Sequence, residues 1–214
     1  MTCDVVKFYT ENVRLLDFTI KTLKYLPALR KLWENNIYFF PHMRVLDVGC
    51  GTGALTKTLY EASVVKNIEP KFYAFDITPT LLEKFRHWIL KKEAIVRTLR
   101  SDVRYADTLP YSWSTFDLIC SSGVLEYLDR QELQAALRSL YCRLDSGGKL
   151  ITLGSRKNLI NYFLIQKLYQ SNLYGKREFI SILKQAGFRK IKCWRFPFPY
   201  IHLNLWGYII VAEK

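Results

Sequence analysis

The chain has 214 residues, 50% of them hydrophobic, which suits one α/β domain with a full core and excludes a disordered segment. Lysine and arginine outnumber aspartate and glutamate by 32 to 19, giving a net charge of +13, yet no block of five or more cations occurs, so charge alone names no nucleic-acid partner. Five scattered cysteines without a Cys-x-x-Cys pair, and no histidine at ligand spacing, exclude a disulfide framework and imply no metal site.

The opening Met-Thr-Cys-Asp-Val-Val-Lys lacks the basic-then-apolar layout of a signal peptide. The late apolar stretch 196–212 is interrupted by Pro197, Pro199, His202, Asn204 and Gly207, which argues against a transmembrane helix. A cytoplasmic location follows as the expectation. Cys50, Cys120 and Cys193 fall in apolar or strand-like settings and read as packing residues.

Residues 5–40 read as helical. Val13, Leu16, Ile20 and Leu23 recur every three or four residues, with Arg14, Lys21 and Lys24 on other faces. Pro27 is expected to break that helix, and a second short one to run from Ala28 to Trp33. This segment, 1–40, reads as a helical lid or packing element ahead of a single domain, 41–214. Its basic amphipathic pattern also leaves open a peripheral membrane contact.

Residues 44–56 carry the strongest local signal. Val45, Leu46 and Val48 form a short apolar strand, Gly49, Gly51 and Gly53 break it, and Ala54, Leu55 and Leu59 begin the apolar face of a helix. The glycines admit positive φ and close approach of main chain to a ligand, while the N–H groups of the helix start face the same place. Asp47 narrows the choice, because a carboxylate beside the turn repels a pyrophosphate and welcomes a cation. The turn also satisfies Gly-x-Gly-x-x-Ala through Ala54, so a nicotinamide or flavin cofactor stays a formal rival.

Lys71 to Asp76 reads as the second parallel strand, ending in a carboxylate placed to accept from ribose hydroxyls. Thr78 and Pro79 read as the cap and first residue of the next helix, which runs to Lys92. Ile95 to Leu99 is expected as strand three, followed by Ser101-Asp102-Val103, with Asp107 a competitor of Asp102. Phe116 to Ser122 reads as strand four, leading into Gly123-Val-Leu-Glu-Tyr-Leu128. A helix over 130–144 is expected to end at Gly147-Gly148 before a fifth strand. A helix at 176–186, a strand at 190–195 and a strand at 208–213 complete the reading.

Asp47-Val-Gly-Cys-Gly-Thr-Gly resembles the first motif of class I S-adenosylmethionine-dependent methyltransferases. The ordered later pieces, at 71–76, 101–103, 116–128 and 145–152, extend that resemblance over about residues 41–153. The resemblance implies a three-layer Rossmann-like sandwich of the α/β class, with a seven-stranded, mostly parallel sheet closed by a C-terminal antiparallel hairpin. It implies S-adenosyl-L-methionine as cofactor, held by Asp47, Gly49, Cys50, Gly51, Gly53, Asp76, Ile77, Asp102, Val103 and Ser121. In this family the N-terminal segment often closes over the cofactor, which makes Phe8 and Tyr9 the roof and Tyr9 a cofactor contact.

The implied reaction moves a methyl group by in-line displacement to O or N of an acceptor, and no catalytic base is assigned. Several relatives carry a histidine after strand four where this chain has Tyr127. Tyr127, Glu126 and His202 stand as weak candidates, with Tyr174 and Arg156 beside them. Segment 155–175, including Tyr162 and Phe163, lies where relatives build acceptor walls, and its apolar and aromatic content suits a small, largely apolar or aromatic molecule. RNA methylation using the basic surface, an NAD-dependent oxidoreductase and a non-catalytic cofactor-binding protein are the alternatives. Oligomeric state is not legible.

Overall fold

The computed structural model describes residues 5–158 and 172–214. Seven strands form one sheet in the order β3-β2-β1-β4-β5-β7-β6. They are β1 (Arg44–Val48), β2 (Lys71–Asp76), β3 (Val96–Arg100), β4 (Phe116–Ser122), β5 (Leu144–Ser155), β6 (Arg189–Trp194) and β7 (Gly207–Glu213). The first five pair in parallel, while β7 runs antiparallel between β5 and β6. The expected seven-stranded sheet with a closing hairpin is therefore present.

The described helices are α1 (Val5–Glu11), α2 (Val13–Thr22), α3 (Tyr25–Asn36), α4 (Ala54–Val65), α5 (Pro79–Lys92), α6 (Arg130–Arg143), α7 (Lys176–Gln185) and the short α8 (Leu203–Trp206). Alternation along each strand sends neighbours to opposite layers. Leu46, Val48, Ile119, Leu150 and Ile210 join a core with α6 and α7, whereas Val45, Leu118, Cys120, Ile151 and Ile209 join one with α3 and α4. Central strands buried on both faces explain the near-continuous apolar runs in the sequence.

Several sequence expectations are corrected. The N-terminal segment breaks at Asn12 and at Leu23–Lys24, not at Pro27. Lys24 takes a left-handed conformation, and Pro27 sits in the first turn of α3, where a missing N–H breaks no helical bond. The helix after β4 ends at Arg143, and Gly147 with positive φ lies within β5, where the pairing with β4 shifts register. Cys193 is exposed on the edge strand β6, so among these cysteines only Cys50 and Cys120 are buried packing residues.

One structural device escaped the sequence reading. Arg143, at the end of α6, is buried and donates to five main-chain carbonyls, those of Ala106, Asp107, Leu109, Pro110 and Trp113, at 2.6–3.2 Å. It thereby pins the β3–β4 connection to the helix layer. A lysine has three donors on one nitrogen and cannot span the same set. Replacing Arg143 with Met leaves several carbonyls unpaired and should cost on the order of 3 kcal/mol or more. Arg143→Lys should recover less than half of that. Urea unfolding, read as a lowered midpoint at constant slope, checks both variants.

Candidate functional site

A cavity of about 430 Å³ opens at the carboxyl ends of β1, β2 and β4, where the strand order reverses between β1 and β4. The turn after β1 forms its floor. Gly49, Gly51 and Gly53 all have positive φ, at 64°, 53° and 87°. A β-carbon on Gly49 would overlap Val124, and one on Gly53 would overlap Phe85, so both the conformation and the space require glycine.

Two buried carboxylates hold this turn. Asp47 Oδ2 accepts from Thr56 N at 3.1 Å and from Thr56 Oγ1 at 2.7 Å, while Oδ1 has no hydrogen-bond partner among the described residues. Asp76 accepts from Gly51 N and from Thr78 N, each at 2.7 Å. The Thr78 side chain makes no cap bond of its own, so Asp76 serves the start of α5 as well as the turn. Burial pushes the Asp47 carboxyl up to about 7, against the pull of the two Thr56 bonds. Burial also raises Asp76, opposed by its backbone hydrogen bonds.

Of the other expected cofactor residues, Cys50, Ile77, Asp102, Val103 and Tyr9 line the cavity, as do Gly49 and Gly51. Gly53 does not line it and acts by shaping the turn as the left-handed residue before α4. Asp102 caps the following 3-10 turn and binds Arg104 at 2.6 Å. Asp107 lies off the cavity, with its carbonyl on Arg143. Ser121 does not line the cavity. It pairs with Val48 and Thr152 inside the sheet, its Oγ is buried without a hydrogen-bond partner among the described residues, and its side chain shares the parity of Ile119, toward α6. Ser122, one residue past the last β1 pair, lines the cavity instead and meets Tyr25 Oη at 2.8 Å.

Tyr25 was missed because Pro27 suggested a break, whereas the structure makes Tyr25 the first residue of α3. Burial pushes its hydroxyl up to about 12, so it stays a neutral donor or acceptor. Ile20 and Val5 also roof the cavity from the N-terminal helices. Tyr9 and Tyr127 face each other there, with hydroxyls 3.0 Å apart. The weak catalytic candidates separate cleanly. Tyr127 lines the cavity, but Glu126 does not. It is buried and binds the N–H and hydroxyl of Ser155, bracing the end of β5. His202 is exposed and lies 3.3 Å from the Leu23 carbonyl, away from the cavity. Tyr174 donates to the Leu128 carbonyl, and Arg156 to that of Gly207. Residues 159–171, with Tyr162 and Phe163, lie outside the described residues.

The electrostatics of the cavity oppose those of the whole chain. Among the described lining residues, Asp47, Asp76, Asp102, Asp129 and Glu132 face one cation, Arg104, in a protein of net charge +13. Such a lining favours a cationic ligand and disfavours a pyrophosphate. No cluster of three metal-ligating side chains occurs among the described residues.

Residues 45–148 match the family described as "Methyltransferase domain". The chain is 31% identical over 156 residues to 2-methyl-6-phytyl-1,4-hydroquinone methyltransferase 2, chloroplastic, of Oryza sativa subsp. japonica, covering 70% of this chain and 40% of that relative. The chain thus spans less than half of that relative's length. Two solved structures share the fold. A Haemonchus contortus phosphoethanolamine N-methyltransferase 2, in complex with phosphomonomethylethanolamine and S-adenosylhomocysteine, aligns with TM-score 0.71 at 13% identity, over 99% of this chain and 60% of that one. Magnesium protoporphyrin IX methyltransferase from Synechocystis PCC 6803 with bound S-adenosylmethionine aligns with TM-score 0.65 at 17% identity, over 92% and 82%. With the sheet order and the motif series already in place, residues 45–148 are similar to the methyltransferase domain family, and the two solved structures share the fold.

Gly49→Ala should destabilise the protein by roughly 2–4 kcal/mol, combining left-handed strain with overlap against Val124. Gly147, also at positive φ but with open space around its would-be β-carbon, provides the control. Gly147→Ala should cost about 1 kcal/mol, from the backbone alone. Paired urea melts separate the two costs.

Proposed function

We propose that this chain binds S-adenosyl-L-methionine in the cavity above the glycine turn and transfers its methyl group to O or N of a small, largely apolar or aromatic acceptor. The observation that carries the reading is Asp47, a buried carboxylate with one oxygen unpartnered among the described residues, in a cavity rich in acids. An ammonium group satisfies that oxygen, and a sulfonium suits the surrounding charge. The residues therefore fit the cofactor. Asp76 has carboxylate lone pairs left to accept ribose hydroxyls, Ile77 presents an apolar surface, and the family resemblance assigns Asp102 and the Val103 N–H to the adenine edge.

The cofactor, when bound, supplies a methyl group already activated by positive sulfur. The chain's own residues then need to align the acceptor and keep water out. Val5, Tyr9, Ile20, Tyr25 and Tyr127 supply a largely apolar roof with three hydroxyls, suited to an aromatic acceptor with a polar handle. That lining accords with the phytyl-hydroquinone and porphyrin in the names of two similar proteins. It also speaks against an RNA strand in the cavity, where five carboxylates would meet phosphate. Calorimetric titration tests the reading. Micromolar affinity for S-adenosylhomocysteine with none for NAD supports it, and the reverse overturns it.

Binding should depend on pH in a defined sense. An unfolded aspartate titrates near pH 4. Burial moves Asp47 in the folded chain to about 7, so between these values the folded state holds the proton more tightly. This group's contribution to ligand-free stability therefore falls as pH rises through that window. A cationic ammonium pairs with the carboxylate form, so affinity for S-adenosylhomocysteine should rise up to about pH 7 and level off above it. Asp47→Asn should flatten that profile and weaken binding about tenfold or more. Titrations from acidic to mildly alkaline buffer check both.

Asp76→Ala should weaken S-adenosylhomocysteine binding by about ten- to a hundredfold, through loss of a charged acceptor. It also strands the Gly51 and Thr78 N–H groups, so Asp76→Asn, which keeps one acceptor oxygen, should fall between. Affinity measured alongside the melting temperature separates ligand contact from support of the turn.

A further inference from the structure

Helix α2 has two unlike faces. Ile20 looks inward onto the cavity, and Asp17 is tied to Lys84 of α5 at 3.0 Å. On the outer face Phe18 is 67% exposed and Leu15 is 36% exposed, with Arg14 and Lys21 exposed on the flanks. The end of α2 abuts a second apolar projection, the turn formed by 197–206. His202 Nε2 lies 3.3 Å from the Leu23 carbonyl, and the Tyr25 and Phe196 rings are 6.1 Å apart. On this turn Phe198, Ile201 and Leu205 are 79%, 58% and 70% exposed.

Charge around these projections is mostly basic, with Glu11 and Asp17 the carboxylates of α1 and α2 and Asp17 already paired with Lys84. From Phe179 to Ala212 the sequence contains no aspartate or glutamate. Arg14, Lys21, Lys24, Lys157 and Arg195 have no carboxylate at ion-pair distance among the described residues. Large apolar side chains standing in water beside such cations match the interface of an anionic bilayer, where apolar groups enter the acyl boundary and cations stay at the headgroups. A second copy of the same basic surface would be repelled, which argues against self-association through it.

We propose that the outer face of α2 and the 197–206 turn form an interfacial surface that seats this protein on an anionic lipid bilayer. Among the described residues no helix is long and apolar enough to cross a membrane, so the contact is peripheral. The inner face of α2 roofs the cavity, so this docking sets the cavity beside the lipid. The inference does not depend on the identity of the acceptor.

Sedimentation with vesicles tests it without any acceptor. The protein should co-sediment with phosphatidylcholine vesicles containing phosphatidylglycerol at low salt, and far less with phosphatidylcholine alone. The triple variant Phe18→Ser, Ile201→Ser and Leu205→Ser should lower the partition coefficient about tenfold or more. The variant Arg14→Glu with Arg195→Glu should lower it about fivefold per charge removed. None of these side chains lines the cavity, so affinity for S-adenosylhomocysteine should stay at the parent value, which also shows that the variants fold. Failure of the parent to bind either vesicle overturns the proposal, as does a triple variant that sediments like the parent. An RNA oligonucleotide bound equally by parent and triple variant, and displacing the vesicles from both, would show a general polyanion surface and also overturn it.

Discussion

The glycine turn between β1 and α4 is held by two acids that would repel each other in isolation. Asp47 reaches forward to the N–H and hydroxyl of Thr56, fixing where α4 starts, and Asp76 reaches across from β2 to the N–H of Gly51. Both are nearly dry, so each carboxylate stays charged only as far as its hydrogen bonds and a cation allow. The turn is thereby fixed by the chain's own hydrogen bonds, and Asp47 Oδ1 is left without a partner among the described residues. Sheet order then places the ends of β2 and β4 on either side of it, and the remaining walls follow from that arrangement.

Segregation of charge is the second organising feature. The surplus of cations is spread over the chain, yet the cavity gathers five carboxylates and one arginine among its described residues. Net charge therefore misleads about the ligand while remaining informative about the exterior. The N-terminal helices join these two environments. Their inner side supplies Tyr9, Ile20 and Tyr25 to the cavity, and the outer side of α2 carries exposed apolar and basic residues. Buried side chains of α3, among them Leu29, Leu32 and Trp33, anchor the roof to the core through the sheet face shared with α4.

The class of fold was legible because its signals are local. The apolar run of 45–48, three glycines at alternate positions, a strand-end acid at 76 and a Thr-Pro helix start each follow from the backbone preferences of a few neighbouring residues. They also located most of the cavity floor, since strand, turn and helix start are contiguous in the chain. Asp47, Gly49, Gly51 and Asp76 were found in this way and Asp102 through the family resemblance of its segment, and the structure brings them around one cavity.

What escaped depended on long-range geometry. Choosing Ser122 over Ser121 requires knowing which way β4 alternates and where its pairing with β1 ends, and both are properties of the assembled sheet. Tyr25 enters the site because α3 packs against β4, nearly a hundred residues away in sequence, and Glu126 leaves it because Ser155 lies close enough to bind. Arg143 reads as an ordinary basic residue at a helix end until five carbonyls from another segment close around it. The sequence by itself determined the elements, their order and the chemistry of the turn, because these rest on near-neighbour sterics and periodicity. The tertiary structure alone decided which hydroxyls and carboxylates share the cavity, because side-chain direction and burial arise only when distant segments pack.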